Sequence, residues 1–452
     1  MNLQRFITEY DESLSGELNI DPLGQLIVWS SFGQQIFRNR ISSVANDVRH
    51  YTLNLLHHYV IRSVLGDDKT RPGEAVLKNY DGKNDVKLTH ACLIFLENIY
   101  TLSMCENQHK KGIVTTGVLG IVKARDRFAK YDNDPPIMFG HGAQSQLLTQ
   151  QLFLGTNGRY KTPMMNLHFF DQKYRYHLPE GVTPWEKAGR FILQSPLKRL
   201  FHLLVDCLRT QLGARRQQDL TLHFSELDKT LTGAYVKSFA SSEYVGSYAG
   251  DFWLEMSGLR EGACGALYSA LEEAQDDASA AEIFHHALRT SHNDADRQLL
   301  RHIVHVEPLL AAIALLFDGL MQRRKQTLDE VRQFWAQHGL DEHTLAERAA
   351  TVINDKTLLA ALSGTAHIRL VRLLAVAQAP TFAGQVAALL DYHQFVMQSR
   401  GQLPWMTLCD ETLTLQVPAR APRTGRHRDD WVNGYYIPQF RHMLQGLWGA
   451  EQ

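Results

Sequence analysis

Along almost the whole chain, apolar residues return every three or four positions, and only near the C-terminus do they alternate with polar ones. The first spacing is that of one helix face and the second that of a strand. The chain is therefore expected to be mainly α, a multi-domain helical protein with a small C-terminal β-hairpin. Between Asp21 and Leu65, the residues Leu23, Leu26 and Ile27, then Val44, Val48, Tyr51, Leu55, Tyr59 and Val60, mark two helical faces, a helical hairpin. Residues 66–85 are polar, with Pro72 and several Gly and Asp, and read as a loop. Leu88–Cys105 reads as a third helix and Thr116–Lys130 as a fourth, with Thr115 placed to accept a bond from a free helix N–H. Strand alternation appears in Trp405–Leu408 and Thr412–Val417, on either side of a turn-like Asp410-Glu411.

A chain of 452 residues exceeds the length at which one hydrophobic core stops growing, so two or three domains are expected. Residues 1–132 form the expected helical N-terminal domain, in which Leu88–Lys130 is spaced like a helix-turn-helix variant reading DNA through Thr115–Lys130. Residues 133–184 form an irregular connector. Its Asp134, Pro135 and Pro136 break helix, Gln144–Leu154 supplies one helix, and Gly155–Pro184 is too rich in Gly and Tyr for another. Residues 185–452 form a helical C-terminal region ending in the hairpin and an aromatic helix over Asp430–Leu447. Gln217–Tyr235 and Asp294–Arg324 are among its helices, and no fixed repeat period emerges.

Charge and cysteine content exclude several classes of function. Lys plus Arg number 47 against 48 Asp plus Glu, a formal charge of -1, so any attraction to nucleic acid must come from local patches. The five cysteines are odd in number, widely spaced and without a CxxC pair, which argues against a disulfide framework and for a reducing, cytoplasmic compartment. The acidic start MNLQRFITEYDESLSGEL does not read as a secretory leader. The most apolar run, Pro308–Leu316, falls short of the roughly 20 residues of a spanning helix and reads as a core helix, so no membrane partner is expected.

Four constellations bear on chemistry. Residues 155–162, GTNGRYKT, resemble a phosphate-binding loop, but Arg159 and Tyr160 intervene where Gly should precede Lys161. Anion contact through Arg159, Tyr160 and Lys161 is the reading those residues support. His285, His286, His292, His302 and His305 crowd one window with Asp294, Asp296 and Glu307, yet neither HExxH nor an adjacent His-Asp pair occurs, and no metal or cofactor is expected. Arg297 and His302 stand in an Arg-x4-His spacing that resembles the signature of the HEPN ribonucleases, all-α proteins. The resemblance covers six residues and places Gln298 where that family commonly has Asn, Asp or His. It implies that Arg297 and His302 would orient RNA and shuttle a proton. No GxSxG elbow surrounds any serine, and Asp67-Asp68, Asp276-Asp277 and Asp429-Asp430 read as caps or solvated turns.

Basic residues interleaved with aromatics are the remaining signal. Lys123, Arg125, Arg127 and Lys130 share one predicted helix; Lys198, Arg199, Arg209, Arg215 and Arg216 border another; Arg420, Arg423, Arg426 and Arg428 precede Trp431, Tyr435 and Tyr436. Guanidinium forks pair with phosphate oxygens and aromatic faces stack on bases. The expected role is a non-catalytic adaptor or scaffold subunit that binds other proteins and contacts DNA or RNA, in an assembly such as a bacterial defence or DNA-processing system. A HEPN-like or metal-dependent nuclease and a purely protein-protein scaffold are the alternatives.

Overall fold

The structure, a computed structural model, describes residues 21–420 and 426–449. It is mainly α, with 63% of residues helical. The described residues divide into two compact units, Asn39–Gly258 with residues 439–449, and Leu259–Pro438 with residues 21–38. The expected boundaries after residues 132 and 184 both fall inside Asn39–Gly258. The first described helix, α1 (Leu26–Phe37), belongs to the second unit.

The first unit is built around α2 (Val48–Gly66) and α3 (Val86–Glu106), which are buried on nearly every side. Each is started by an aspartate, Asp47 or Asp85, whose carboxylate accepts from the backbone N–H two residues on. Helices surrounded by protein satisfy most of their polar side chains internally, and on α2 two neutral histidines do so. Tyr235 gives its O–H to the Leu96 carbonyl, so the His57 Nε2 at 2.9 Å must be the donor to that hydroxyl. His58 lies between Tyr176, 2.8 Å from Nδ1, and the Asn157 amide oxygen, 3.0 Å from Nε2. Burial drives both imidazoles down to a pKa of about 3.

Around this pair lie α4 (Ile121–Lys130), β1 (Pro136–Met138), α5 (Thr156–Asn166), α6 (Val182–Gln194), α7 (Leu197–Leu212), β2 (Thr221–His223), α8 (Lys229–Ser238) and α9 (Ser242–Ser257). β1 and β2 pair antiparallel with Ile137 opposite Leu222. At Gly246 on α9 a Cβ would meet the Gly446 carbonyl at 1.6 Å, so this backbone approach requires glycine.

Several sequence expectations fail here for tertiary reasons. α5 occupies part of the stretch expected to be non-helical. The buried Glu97 carboxylate on α3 accepts from the Thr156 N–H at 2.6 Å and caps α5 from 59 residues away. Thr115 caps nothing: the helix starts at Ile121 after Gly120, whose φ is 80°. Gln144–Leu154 holds only a 3-10 turn and one turn of helix over Gln151–Leu154. Gln217–Tyr235 breaks into β2 and the start of α8, which Asp228 caps.

The second unit continues with α10 (Gly262–Glu273), α11 (Ala280–Thr290), α12 (Asp294–Leu320), β3 (Lys325–Thr327), α13 (Leu328–Gln337), α14 (Thr344–Asn354), α15 (Lys356–Ala360), α16 (Gly364–Ala377) and α17 (Phe382–Gln398). β4 (Met406–Cys409) and β5 (Thr412–Leu415) form the expected hairpin. Its turn residues Asp410 and Glu411 have φ of 46° and 60°, as a two-residue hairpin of the primed type requires. β3 adds antiparallel to β5, giving the order β3-β5-β4. By length and composition α3 and α12 could each cross a membrane, but their apolar windows are 94% and 72% buried in the protein. The last helix, α18 (Ile437–Leu447), starts later than expected because Tyr435 and Tyr436 both have positive φ.

Candidate nucleic-acid interface

Between residues 106 and 130 the chain carries six cations, Lys110, Lys111, Lys123, Arg125, Arg127 and Lys130, against two anions, Glu106 and Asp126. That local excess of +4 stands in a chain whose formal charge is -1. The fold presents it outward: Ala124 is the one buried residue of α4, and Lys110, Lys111, Lys123, Arg125 and Lys130 are all exposed.

A buried arginine holds the surface in place. Arg49 on α2 donates to the Val114 carbonyl at 2.6 Å and to the Thr116 carbonyl at 2.8 Å, fixing the loop before α4. The Val114 N–H donates to the Ala240 carbonyl at 2.8 Å. Arg49 also lies 3.9 Å from Asp47, whose other oxygen accepts from the Ser242 hydroxyl at 2.9 Å. Burial pushes the Asp47 carboxyl up, but His50, Arg49 and the Ser242 hydroxyl together bring it below its ordinary value. From the far side, the Arg125 Nε donates to the Gln108 side chain at 2.7 Å, so α4 and the Lys110-Lys111 turn form one surface. Lysines on a fixed backbone lose less freedom on meeting phosphate than lysines on a free loop. The connection between α3 and α4, residues 107–120, is far longer than the turn of about 3–4 residues in a helix-turn-helix, and that expectation is withdrawn.

Other expected contact residues are engaged within the protein. The Arg127 guanidinium donates to the Gln146 carbonyl at 2.5 Å. Arg159 donates from Nε to the Leu154 carbonyl, and the Lys161 Nζ donates to the Gln172 carbonyl at 3.0 Å while lying 4.2 Å above the Tyr174 ring. Burial holds the Lys161 amine below its usual pKa. Tyr160 is a core residue, its hydroxyl accepting from the Asp47 N–H at 3.1 Å. In the second unit, Arg426 pairs with Asp318 at 2.9 Å, and Arg428 donates to the Gly339 carbonyl at 2.8 Å. Arg423 lies outside the described residues. Sequence reading missed Lys110 and Lys111; the signal was their adjacency in a loop directly before the basic helix.

Arg297 and His302 both lie on α12, where five residues turn the helix by about 140° beyond a full circle and part their side chains. His302 is 1% exposed, with Nε2 at 2.9 Å from the Thr357 hydroxyl and 3.9 Å from Asp355, and burial lowers its pKa. His305 reaches the same carboxylate at 3.1 Å. These contacts brace α12 against the start of α15 and leave the His302 ring little surface for a substrate. Among the described residues no three His, Cys, Asp or Glu side chains converge as a metal site needs.

Set against models of known protein families, against characterised proteins and against solved structures, the chain matches none.

Proposed function

We propose that the protein is an adaptor or scaffold subunit that works by contact and not by catalysis, and that it touches the sugar-phosphate backbone of DNA or RNA through residues 109–130. The observation that carries this reading is the +4 excess between residues 106 and 130, five of whose six cations are exposed, on a segment whose loop is fixed by the buried Arg49. Lysine and arginine in such a place neutralise phosphates and release counterions without reading sequence. An apolar face supports the adaptor role: Ile368 and Val371, one turn apart on α16, are 50% and 43% exposed. All five cysteines are free thiols, which supports a reducing, cytoplasmic setting.

The test is fluorescence anisotropy with labelled single-stranded and duplex DNA and RNA over a salt series. About four neutralised phosphates give a slope of about -3 to -4 in log affinity against log salt. Binding should not depend on sequence, and the probe should remain intact. No binding at low salt would remove the nucleic-acid part of the reading, and cleavage of the probe would overturn the non-catalytic part.

A further inference from the structure

In the first unit, α2 and α6 line an open cleft of about 530 Å³. That is the size of a small-molecule site. Val182, Trp185, Glu186, Gly189 and Arg190 line it from α6, and their three- and four-residue steps mark a single helix face. Tyr59 and Arg62 line it from α2. Two packed helices ordinarily fill such a groove with side chains. Here Gly189 contributes none, and a Cβ there would meet the Tyr59 hydroxyl at 2.7 Å.

The walls are largely aromatic. Trp185 is 3% exposed, and its indole N–H is committed to the Phe169 carbonyl at 2.7 Å. The Tyr59 ring lies 6.0 Å from that of Trp185 and 5.1 Å from that of Phe201. The charge lining the cleft is unbalanced. The Arg62 guanidinium lies 5.3 Å from the Trp185 ring centroid, and its Nε is buried with no hydrogen-bond partner. Among the described residues neither Arg62 nor Arg190 forms an ion pair; the nearby Glu255 carboxylate is held by Lys187 at 2.7 Å. Glu186, exposed at the rim, is the one acid on the lining against Arg62 and Arg190, and the Glu255 carboxylate within electrostatic reach of Arg190 is already bonded to Lys187.

We propose that this cleft binds a small organic anion, a carboxylate or phosphate monoester joined to a planar ring. The guanidinium of Arg62, with Arg190 beside it, takes the anion through forked hydrogen bonds. The planar body lies against Tyr59 and Val182.

The experiment is isothermal titration calorimetry on the full chain. The anionic probes are adenosine 5′-monophosphate and 1-naphthoate, and the controls are adenosine, which lacks the anion, and inorganic phosphate, which lacks the ring. At least one anionic probe should bind with a sub-millimolar dissociation constant, and both controls should bind at least about tenfold more weakly. Arg62→Met retains the stem over Trp185 and removes the charge; Arg190→Gln changes an exposed position and leaves the core intact. Each should weaken binding about tenfold or more, the effect of losing a charge-assisted hydrogen bond, with the thermal midpoint little changed. Failure of both anionic probes to bind would overturn the proposal, as would binding indifferent to both substitutions. Inorganic phosphate binding as tightly as the nucleotide would overturn the planar part of the ligand.

Discussion

On α4 the charged ends of Lys123 and Arg125 lie at the surface, as do those of Lys110 and Lys111 just before it. In the second unit, residues 426–436 carry charge of the same kind but use it differently. Arg426 spends its guanidinium on Asp318 and on the Ala311 carbonyl at 2.5 Å, and Arg348 reaches the Arg428 carbonyl and the Asp429 carboxylate. Beneath them the buried Glu307 carboxylate accepts from four donors, the Trp29 indole, the Tyr435 hydroxyl and the Val432 and Asn433 amides. A guanidinium whose donors are taken by carbonyls and carboxylates has few left for phosphate. The second region uses charge to fasten its own chain; the first does so with Arg125, Arg127 and the Lys123–Asp126 pair, but among the described residues it leaves the exposed Lys110 and Lys111 without an ion pair.

If that contrast is right, removing inward charge costs stability and removing outward charge costs binding. The largest effect is expected at Glu307. Glu307→Leu leaves four donors without an acceptor and should lower stability by about 3–5 kcal/mol, read as a fall in the urea midpoint. A loss below about 1 kcal/mol would mean that the donors find other acceptors.

Acid should next test the buried histidines of the first unit. His57 and His58 are held to a pKa of about 3 by burial, and His50 to about 4, against an ordinary value of 6.5. Their folded pKa values are depressed, so the stability they contribute is fully present above about 6.5 and is lost as the pH falls toward 3 to 4. Glu97, whose pKa burial raises, acts in the opposite sense. Thermal midpoints from pH 7 to pH 4 should therefore fall less steeply in His57→Gln than in the wild type; equal slopes would assign the acid loss to other groups.

Arg426→Ala should cost about 1–3 kcal/mol and leave nucleic-acid affinity unchanged, a direct challenge to the inward reading if affinity falls. Lys161→Ala should do least. Its amine serves the Gln172 carbonyl, so stability is expected to change by less than about 1 kcal/mol and the salt slope not at all.

How far these regions could be read in the sequence depends on how local their causes are. The apolar run from Pro308 to Leu316 predicts α12, and the alternation around Asp410-Glu411 predicts the hairpin, because periodicity and turn chemistry act within a few residues. α5 could not be read, since the carboxylate that caps it belongs to Glu97. The inward fate of Arg426 and Arg428 was hidden in the same way: Asp318 and Gly339 lie 108 and 89 residues distant. Lys123 and Arg125 were legible because their exposure follows from the polar face of their own helix. Their coupling to Lys110 and Lys111 required the Arg125–Gln108 bond and the Arg49 anchor. The α2–α6 cleft gives no sequence signal, because a void between helices is a property of two faces meeting.

The central claim, that the α4 surface is the part of the molecule offered to nucleic acid, is tested most directly by anisotropy on the triple variant Lys110→Glu, Lys111→Glu, Arg125→Glu. The three side chains are exposed and, among the described residues, only that of Arg125 carries a hydrogen bond, to Gln108, so its unfolding free energy in urea should match the wild type within about 1 kcal/mol. Its affinity for a labelled single strand or duplex should fall at least about tenfold, and its salt slope should shrink by about 2–3. A folded triple variant that binds with unchanged affinity and slope would contradict the account.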